Sequence, residues 1–196
     1  MHKLVLIRHG EIDSNVAKVY SGRSSEPLNS RGWLQAEKAA EAIGQLQVAT
    51  LLTSPLKRAF ETAMILGRKL NLDPLVSEYF NELQMGPWEG LSETEVKARY
   101  PVEFKVWNSR PAELHLDGRE TLEELRVRTI EGVLDARERH GGAPIAIVTH
   151  VAVIRILMLQ AQGRPLNHYK AVVVPNATPI PISLDLATNG GPTSVR

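Results

Sequence analysis

Two histidines in this chain stand where an apolar run stops. In "LIRHGE" the run at 4–7 ends in Arg8, His9 and Gly10, and in "IAIVTH" the run at 145–149 ends in His150. A third run, at 49–53, ends in Thr53 and Ser54, with Arg58 one helical turn further on. In a parallel sheet the carboxyl ends of the strands lie along one edge, where ligands of open α/β sheets bind. The helices that follow aim unpaired N–H groups and positive dipole ends at the same edge. Two histidines and two arginines gathered there suit a phosphate, because arginine matches phosphate oxygens in a bidentate fork and keeps its charge. The plainer reading is that buried strands must stop, and polar residues with glycine are how they stop. Taken singly, each histidine reads more readily as structural, and Arg58 as a solvated charge. The chain has no cysteine, which removes disulfides, a thiolate nucleophile and thiolate metal sites. Histidine, carboxylate and hydroxyl chemistry remain.

The elements that would position these residues alternate in type. Residues 3–7 read as a buried strand, and 31–46 as a helix with apolar positions at Leu34, Ala39, Ala42, Ile43 and Leu46. A strand at 49–53 leads into "SPLKRAFETAMILGRKL", where Ser54 suits an N-cap and Pro55 the first helical position. Leu75 and Val76 mark a short strand. Residues 77–119 read as an irregular excursion carrying Trp88, Trp107 and several prolines, with a short helix at 92–99. Its length exceeds the usual connection, so it is expected to cover a site. A long helix at 120–139 is broken by "GGAP". "IAIVTH" is apolar enough for a strand buried on both faces, and "VAVIRILMLQAQG" forms the next helix. "ISLDL" supplies a last strand, which Pro175, Pro179 and Pro181 assign to an edge. There is no repeat, low-complexity segment or linker. The expected architecture is a three-layer α/β/α sandwich with a mainly parallel sheet, built by one domain over 1–188, with 189–196 a disordered tail.

Composition narrows the partners. The 196 residues suffice for one domain with a sizeable core, and 43% hydrophobic with 23% charged residues is ordinary for a globular protein. A net charge of +1 gives no reason to expect a nucleic-acid or membrane partner. The run at 4–7 is shorter than the ~7–15 residues of a signal-peptide core, and no segment approaches the ~20 apolar residues of a membrane span. A cytoplasmic protein is expected, with the oligomeric state left open, homodimer included.

Five stretches resemble a known family. "LIRHGE" with Asn15 downstream is similar to the RHGE(T)xxN signature of the histidine phosphatase superfamily, whose best-known branch is the cofactor-dependent phosphoglycerate mutases. "SGRSSEPLNSRGWLQA", "TSPLKRAFETA", "NELQMGPWEG" and "IVTHVAVIR" resemble its further blocks, in family order. The resemblance implies that His9 is the nucleophile, with Arg8, Arg58 and His150 around the equatorial phosphate oxygens. Glu82 would be the general acid and then the base that activates water, with Glu89 as a neighbouring competitor. Asn15, Ser21 and backbone N–H near Gly22 would complete the phosphate shell. No metal and no cofactor are expected, since arginines supply the positive charge. Trp88 reads as a packing anchor. His2, His115, His140 and His168 match no block and read as surface or helix-end residues.

Glu120 in "DGRETL" resembles a family GGES segment, and reads equally well as a carboxylate at a helix start. Two departures bear on substrate shape. Val151 stands where the family commonly has glycine, which calls for an ordinary backbone bend after His150 and narrows the pocket, and Ser25 stands where an acidic residue is frequent. The function implied is a metal-independent phosphomonoester phosphatase acting through phosphohistidine on a small phosphorylated metabolite. The alternatives are a mutase, which returns the phosphoryl group to a bound product, and a regulatory module that binds phosphorylated ligands without turnover.

Overall fold

The computed structural model describes residues 2–186 apart from 142, so the expected tail at 189–196 lies outside the described residues. Five strands, β1 (His2–Arg8), β2 (Thr50–Thr53), β3 (Leu75–Val76), β4 (Ile145–Thr149) and β5 (Pro179–Leu184), form one sheet in the order β3-β2-β4-β1-β5. All pairings are parallel except that of β5 with β1. The helices are α1 (Asp13–Ala17), α2 (Ser30–Ile43), α3 (Lys57–Leu70), α4 (Glu93–Arg99), α5 (Pro101–Ser109), α6 (Leu122–His140) and α7 (Val151–Ala161).

Strand side chains alternate between two faces. Leu4, Leu6, Leu52, Ile145 and Ile147 join a core with α6 and α7, whereas Val5, Ile7, Leu51, Ala146 and Val148 join a core with α2 and α3. Burial on both faces is why the central strands read as unbroken apolar runs. The result is the expected α/β/α sandwich. At the sheet edge, Pro181 and Pro179 of β5 stand opposite Val5 and Ile7. Proline has no N–H to give a further strand, and an edge tolerates that. No helix among the described residues is long and apolar enough to cross a membrane.

The structure departs from the sequence reading at several places: the helix expected over 31–46 ends at Ile43, and the last strand, expected at "ISLDL", runs over Pro179–Leu184. Helix α3 begins at Lys57 with Leu56 as its cap residue, so Ser54 is not the N-cap; its hydroxyl is engaged elsewhere, as described below. Helix α1 was not expected, and neither was α5, which Pro101 opens at a position where a missing N–H costs nothing. Tyr100, at φ −131 and ψ 56, separates α4 from α5, because a residue before proline is driven out of the α region.

The excursion at 77–119 is anchored by aromatic packing. Trp88 is fully buried, with ring centroids of Tyr20, Tyr100 and Trp107 at 5.9, 6.3 and 6.3 Å. The Arg119 guanidinium lies 4.3 Å from the Trp107 ring centroid and 5.3 Å from that of Trp88. Truncating such a tryptophan to alanine costs about 3–5 kcal/mol, enough to release the segment it pins.

Candidate active site

Strand register brings the two histidines together. Arg8 pairs with Thr149 on the last rung between β1 and β4, and the His9 N–H donates to the Thr149 carbonyl at 2.9 Å. His9 and His150 therefore leave the sheet side by side, with ring centroids 5.2 Å apart. On the other side of β4, the Ser54 N–H donates to the Val148 carbonyl at 3.0 Å, which sets Ser54 beside His150.

The hydrogen bonds define the proton positions on both rings. His9 Nδ1 lies 2.7 Å from the Gly10 carbonyl, which can only accept, so Nδ1 carries the hydrogen and Nε2 keeps its lone pair. Asn81 donates its amide to Glu78, leaving its Oδ1 to accept from the Ser54 hydroxyl at 3.0 Å. Ser54 Oγ then accepts from His150 Nε2 at 2.8 Å, and His150 Nδ1 is buried with no hydrogen-bond partner among the described residues. Burial, then the charges of Arg58 and Arg8, hold His9 well below the usual histidine range. Burial, followed by Arg58 and His9, does the same to His150. Both rings are neutral at neutral pH.

The two arginines are built differently. Arg8 donates Nη1 to the Val174 carbonyl at 2.9 Å, and its Nε is buried with no hydrogen-bond partner among the described residues. Arg58 is fully buried, donating Nη1 to Ser24 and Nη2 to Gly22 carbonyls, each at 2.7 Å, with Nε unpartnered among the described residues. Arg58 thus holds the loop that carries Ser21 and Gly22. Asn15 Oδ1 accepts from the Ile12 N–H at 3.3 Å and from Asn176 Nδ2 at 3.1 Å, and the same Asn176 nitrogen donates to the His9 carbonyl at 2.9 Å.

Glu82 is buried, and its Oε1 accepts from the Leu83 N–H at 2.8 Å. Burial pushes its carboxyl up, against the pull of the Leu83 N–H, Arg58, Arg8 and the Ala152 N–H at the start of α7. Glu89 is exposed, and its Oε1 accepts from the N–H groups of Arg23 and Met85 at 3.0 and 3.4 Å. It braces the loop beneath Gly22 and lies outside the cavity described next.

Arg8, His9, Asn15, Ser21, Gly22 and Glu82 share a cavity of about 320 Å³, completed by residues that include Tyr20, Trp107, Val151, Arg155, Tyr169 and Lys170. Arg58 and His150, both wholly buried, do not line it. A larger hollow of about 630 Å³ between β3 and α6 holds none of Arg8, His9, Glu82 or His150. Val151 forms part of the cavity wall, and His150 precedes α7 with φ −125 and ψ 167, an ordinary bend. Trp88 lies in the core, His115 and His168 are exposed, and His140 ends α6. Sequence reasoning missed Tyr20, Trp107, Arg155, Tyr169, Lys170 and Asn176. Arg155 had a signal, standing four residues after Val151 and so on the same face of a helix. The others come from segments with no local pattern.

Comparison with known proteins follows the same lines. The chain is 28% identical over 178 residues to phosphoserine phosphatase 1 of Hydrogenobacter thermophilus, covering 91% of this chain and 84% of that one. It is 33% identical over 163 residues to the uncharacterized phosphatase PhoE of Bacillus subtilis, covering 83% and 79%. Three mycobacterial relatives are longer, and the chain spans 43% of their length. A solved structure of a mycobacterial glucosyl-3-phosphoglycerate phosphatase superposes with a TM-score of 0.85 at 26% identity, covering 93% of each chain. Residues 4–188 match the sequence model of the histidine phosphatase superfamily (branch 1), and the chain belongs to that family.

Proposed function

We propose that this histidine phosphatase hydrolyses small phosphomonoesters without a metal ion, by way of a phosphohistidine at His9. The observation that carries the reading is a neutral His9, with its lone pair on Nε2, sharing a cavity with a carboxyl whose hold on a proton burial strengthens. In the first step Nε2 attacks phosphorus, the P–N bond forms and the P–O bond to the leaving group breaks. The Glu82 proton passes to the departing alkoxide. In the second step Glu82, now a carboxylate, takes a proton from water, whose oxygen attacks phosphorus as the P–N bond breaks. Phosphate leaves and both residues return to their starting states.

Charge on the equatorial oxygens is met by the guanidinium of Arg8, backed by the field of Arg58. Arg8 Nε, buried with no hydrogen-bond partner among the described residues at a residue that lines the cavity, supports this reading, since a buried polar atom left without a partner calls for a ligand. Asn15, Ser21 and the Gly22 backbone complete the shell. Asn176 holds the main chain of His9 and the side chain of Asn15 in one arrangement.

The names of the relatives cover a phosphorylated amino acid and a phosphorylated sugar acid, which supports a small phosphorylated metabolite as substrate. A net charge of +1 favours such a substrate over nucleic acid or a lipid surface. A pure binding module has no use for a nucleophile paired with an acid. The test is phosphate release from a panel of phosphomonoesters with and without EDTA. Turnover that survives chelation supports the reading; activity lost to EDTA and restored by a divalent metal overturns it.

A further inference from the structure

Glu82 sits in a loop with no regular secondary structure, yet its main chain is held more tightly than that of most loops. Its carbonyl accepts from Arg23 Nε at 3.1 Å and from Arg128 Nη2 at 3.2 Å, filling both lone pairs. Arg128 is on α6, and its Nη1 also donates to the Tyr79 carbonyl at 2.7 Å. Glu120 binds Arg128 in a two-point fork, Oε1 to Nε at 2.5 Å and Oε2 to Nη2 at 2.9 Å. The same Oε2 accepts from Arg23 Nη2 at 3.4 Å and from the Gln84 N–H at 3.2 Å. The Glu120 N–H donates back to the Gln84 carbonyl at 3.0 Å. The Glu120 and Arg128 side chains are 11% and 18% exposed, so this pair is well shielded from water.

We propose that Glu120, Arg128 and Arg23 form a positioning clamp that fixes where the Glu82 carboxyl enters the cavity. The proposal rests on Glu82 being the general acid. The geometry answers how an irregular loop can place a proton donor: residues 79, 82 and 84 are tied by main-chain hydrogen bonds to side chains of α6 and of the residue just before its cap. Thr121 caps α6 by accepting from the Glu124 N–H, so Glu120 inherits its place from a regular helix. Bidentate, charge-assisted pairs are the strong and directional ones, which suits a positioning role. Neither reading of Glu120 made from sequence, a family segment or a helix-start carboxylate, describes this. Its partners are two arginines and the acid loop.

A clamp of this kind acts on the reaction through the loop that carries Glu82, which gives it a signature. In kcat/KM, which reports the steps up to departure of the leaving group and so isolates the acid role of Glu82 from its later role as base, Glu120→Ala is expected to lose about 10–10²-fold on an alkyl phosphate, the effect of displacing a reacting group by about 1 Å. For p-nitrophenyl phosphate, whose leaving group departs without a proton, the loss should stay under about threefold, with unchanged inhibition by inorganic phosphate. Glu120→Gln keeps one acceptor oxygen and should recover part of the loss. Adding Glu120→Ala to Glu82→Gln should cause no further loss on the alkyl phosphate. Arg23→Ala, at a side chain 36% exposed, removes one bond to the Glu82 carbonyl without opening the core and should show the same selectivity if Glu120→Ala fails to fold. Equal losses on the two substrates, or losses that multiply with Glu82→Gln, would overturn the clamp. Glu82→Gln alone separates the two proposals: if it lowers kcat/KM equally on both substrates, the acid assignment falls and the clamp falls with it. If it is selective while the Glu120 and Arg23 variants are not, only the clamp falls.

Discussion

Gly32→Ala should destabilise the protein, although helix propensity alone says the reverse. Gly32 lies in the first turn of α2, where alanine is favoured over glycine by up to about 1 kcal/mol in a helix interior. The structure opposes this with contact. A Cβ on Gly32 would stand 2.2 Å from the Glu11 carbonyl oxygen, and one on Gly10 would stand 2.3 Å from the Gly32 carbonyl oxygen. Ordinary contact begins at 3.4 Å, so α2 and the segment after His9 must separate by 3.4 − 2.2 = 1.2 Å. Both sides are backbone and cannot rotate away. The segment is also pinned to α2 from either side: the Asn29 N–H donates to the Glu11 carbonyl at 3.0 Å, and the Glu11 N–H to Gln35 Oε1 at 2.8 Å. Overpacking of this size costs about 1–3 kcal/mol, which exceeds the propensity gain. A displacement near 1 Å beside His9 should also cost on the order of 10²-fold in kcat. Urea unfolding followed by circular dichroism measures the first effect, and turnover of p-nitrophenyl phosphate the second. A variant as stable as the parent and equally active would refute the close approach.

Stability should depend on pH through the buried histidines. His9 and His150 have folded-state values depressed below the ordinary 6.5, so the unfolded chain binds more protons as pH falls. Their contribution is complete above about pH 6.5 and is lost below it, by at most about 1.4 kcal/mol per pH unit for each ring. Glu82, raised by burial, works in the opposite sense: its contribution is present below the ordinary carboxyl value of 4.5 and is lost as pH rises through the folded value. Urea midpoints between pH 5 and 8, in the parent and in His150→Gln, check this: the parent should lose more stability than the variant as pH falls from 8 to 5, and equal losses refute it. Given 3-phosphoglycerate with catalytic 2,3-bisphosphoglycerate, the enzyme should release phosphate faster than it isomerises the substrate, as the phosphatase reading requires. Isomerisation much faster than phosphate release would establish the mutase alternative.

The strand-end residues were legible in the sequence for a physical reason. A strand buried on both faces is an apolar run, and its end at a ligand edge is an abrupt polar residue, as at Arg8, His9 and His150. The prolines of β5 announced an edge because they lack an N–H. What was illegible depends on pairings distant in sequence. Asn176 bonds the carbonyl of a residue 167 positions earlier, and nothing in "VPNAT" points to it. Ser54 has the chemistry of a cap, yet its hydroxyl links His150, 96 positions on, to Asn81. The family resemblance implies Arg58 beside a phosphate, yet Arg58 does not line the cavity, and only the structure shows two of its nitrogens bound to main-chain carbonyls. Helix α5 was obscured by Pro101, which reads as a break and serves as a start.

The central claim is a covalent phosphoenzyme at His9, and direct trapping tests it. Glu82→Gln incubated with radiolabelled p-nitrophenyl phosphate should form the intermediate readily, since that leaving group needs no acid, and hydrolyse it slowly, since the base is gone. Quenching in alkali and mapping the labelled peptide should then give an acid-labile, alkali-stable phosphate on His9, absent from His9→Ala, which should not turn over. Label on His150 or on an acid-stable site, or parental turnover by His9→Ala, would contradict the account.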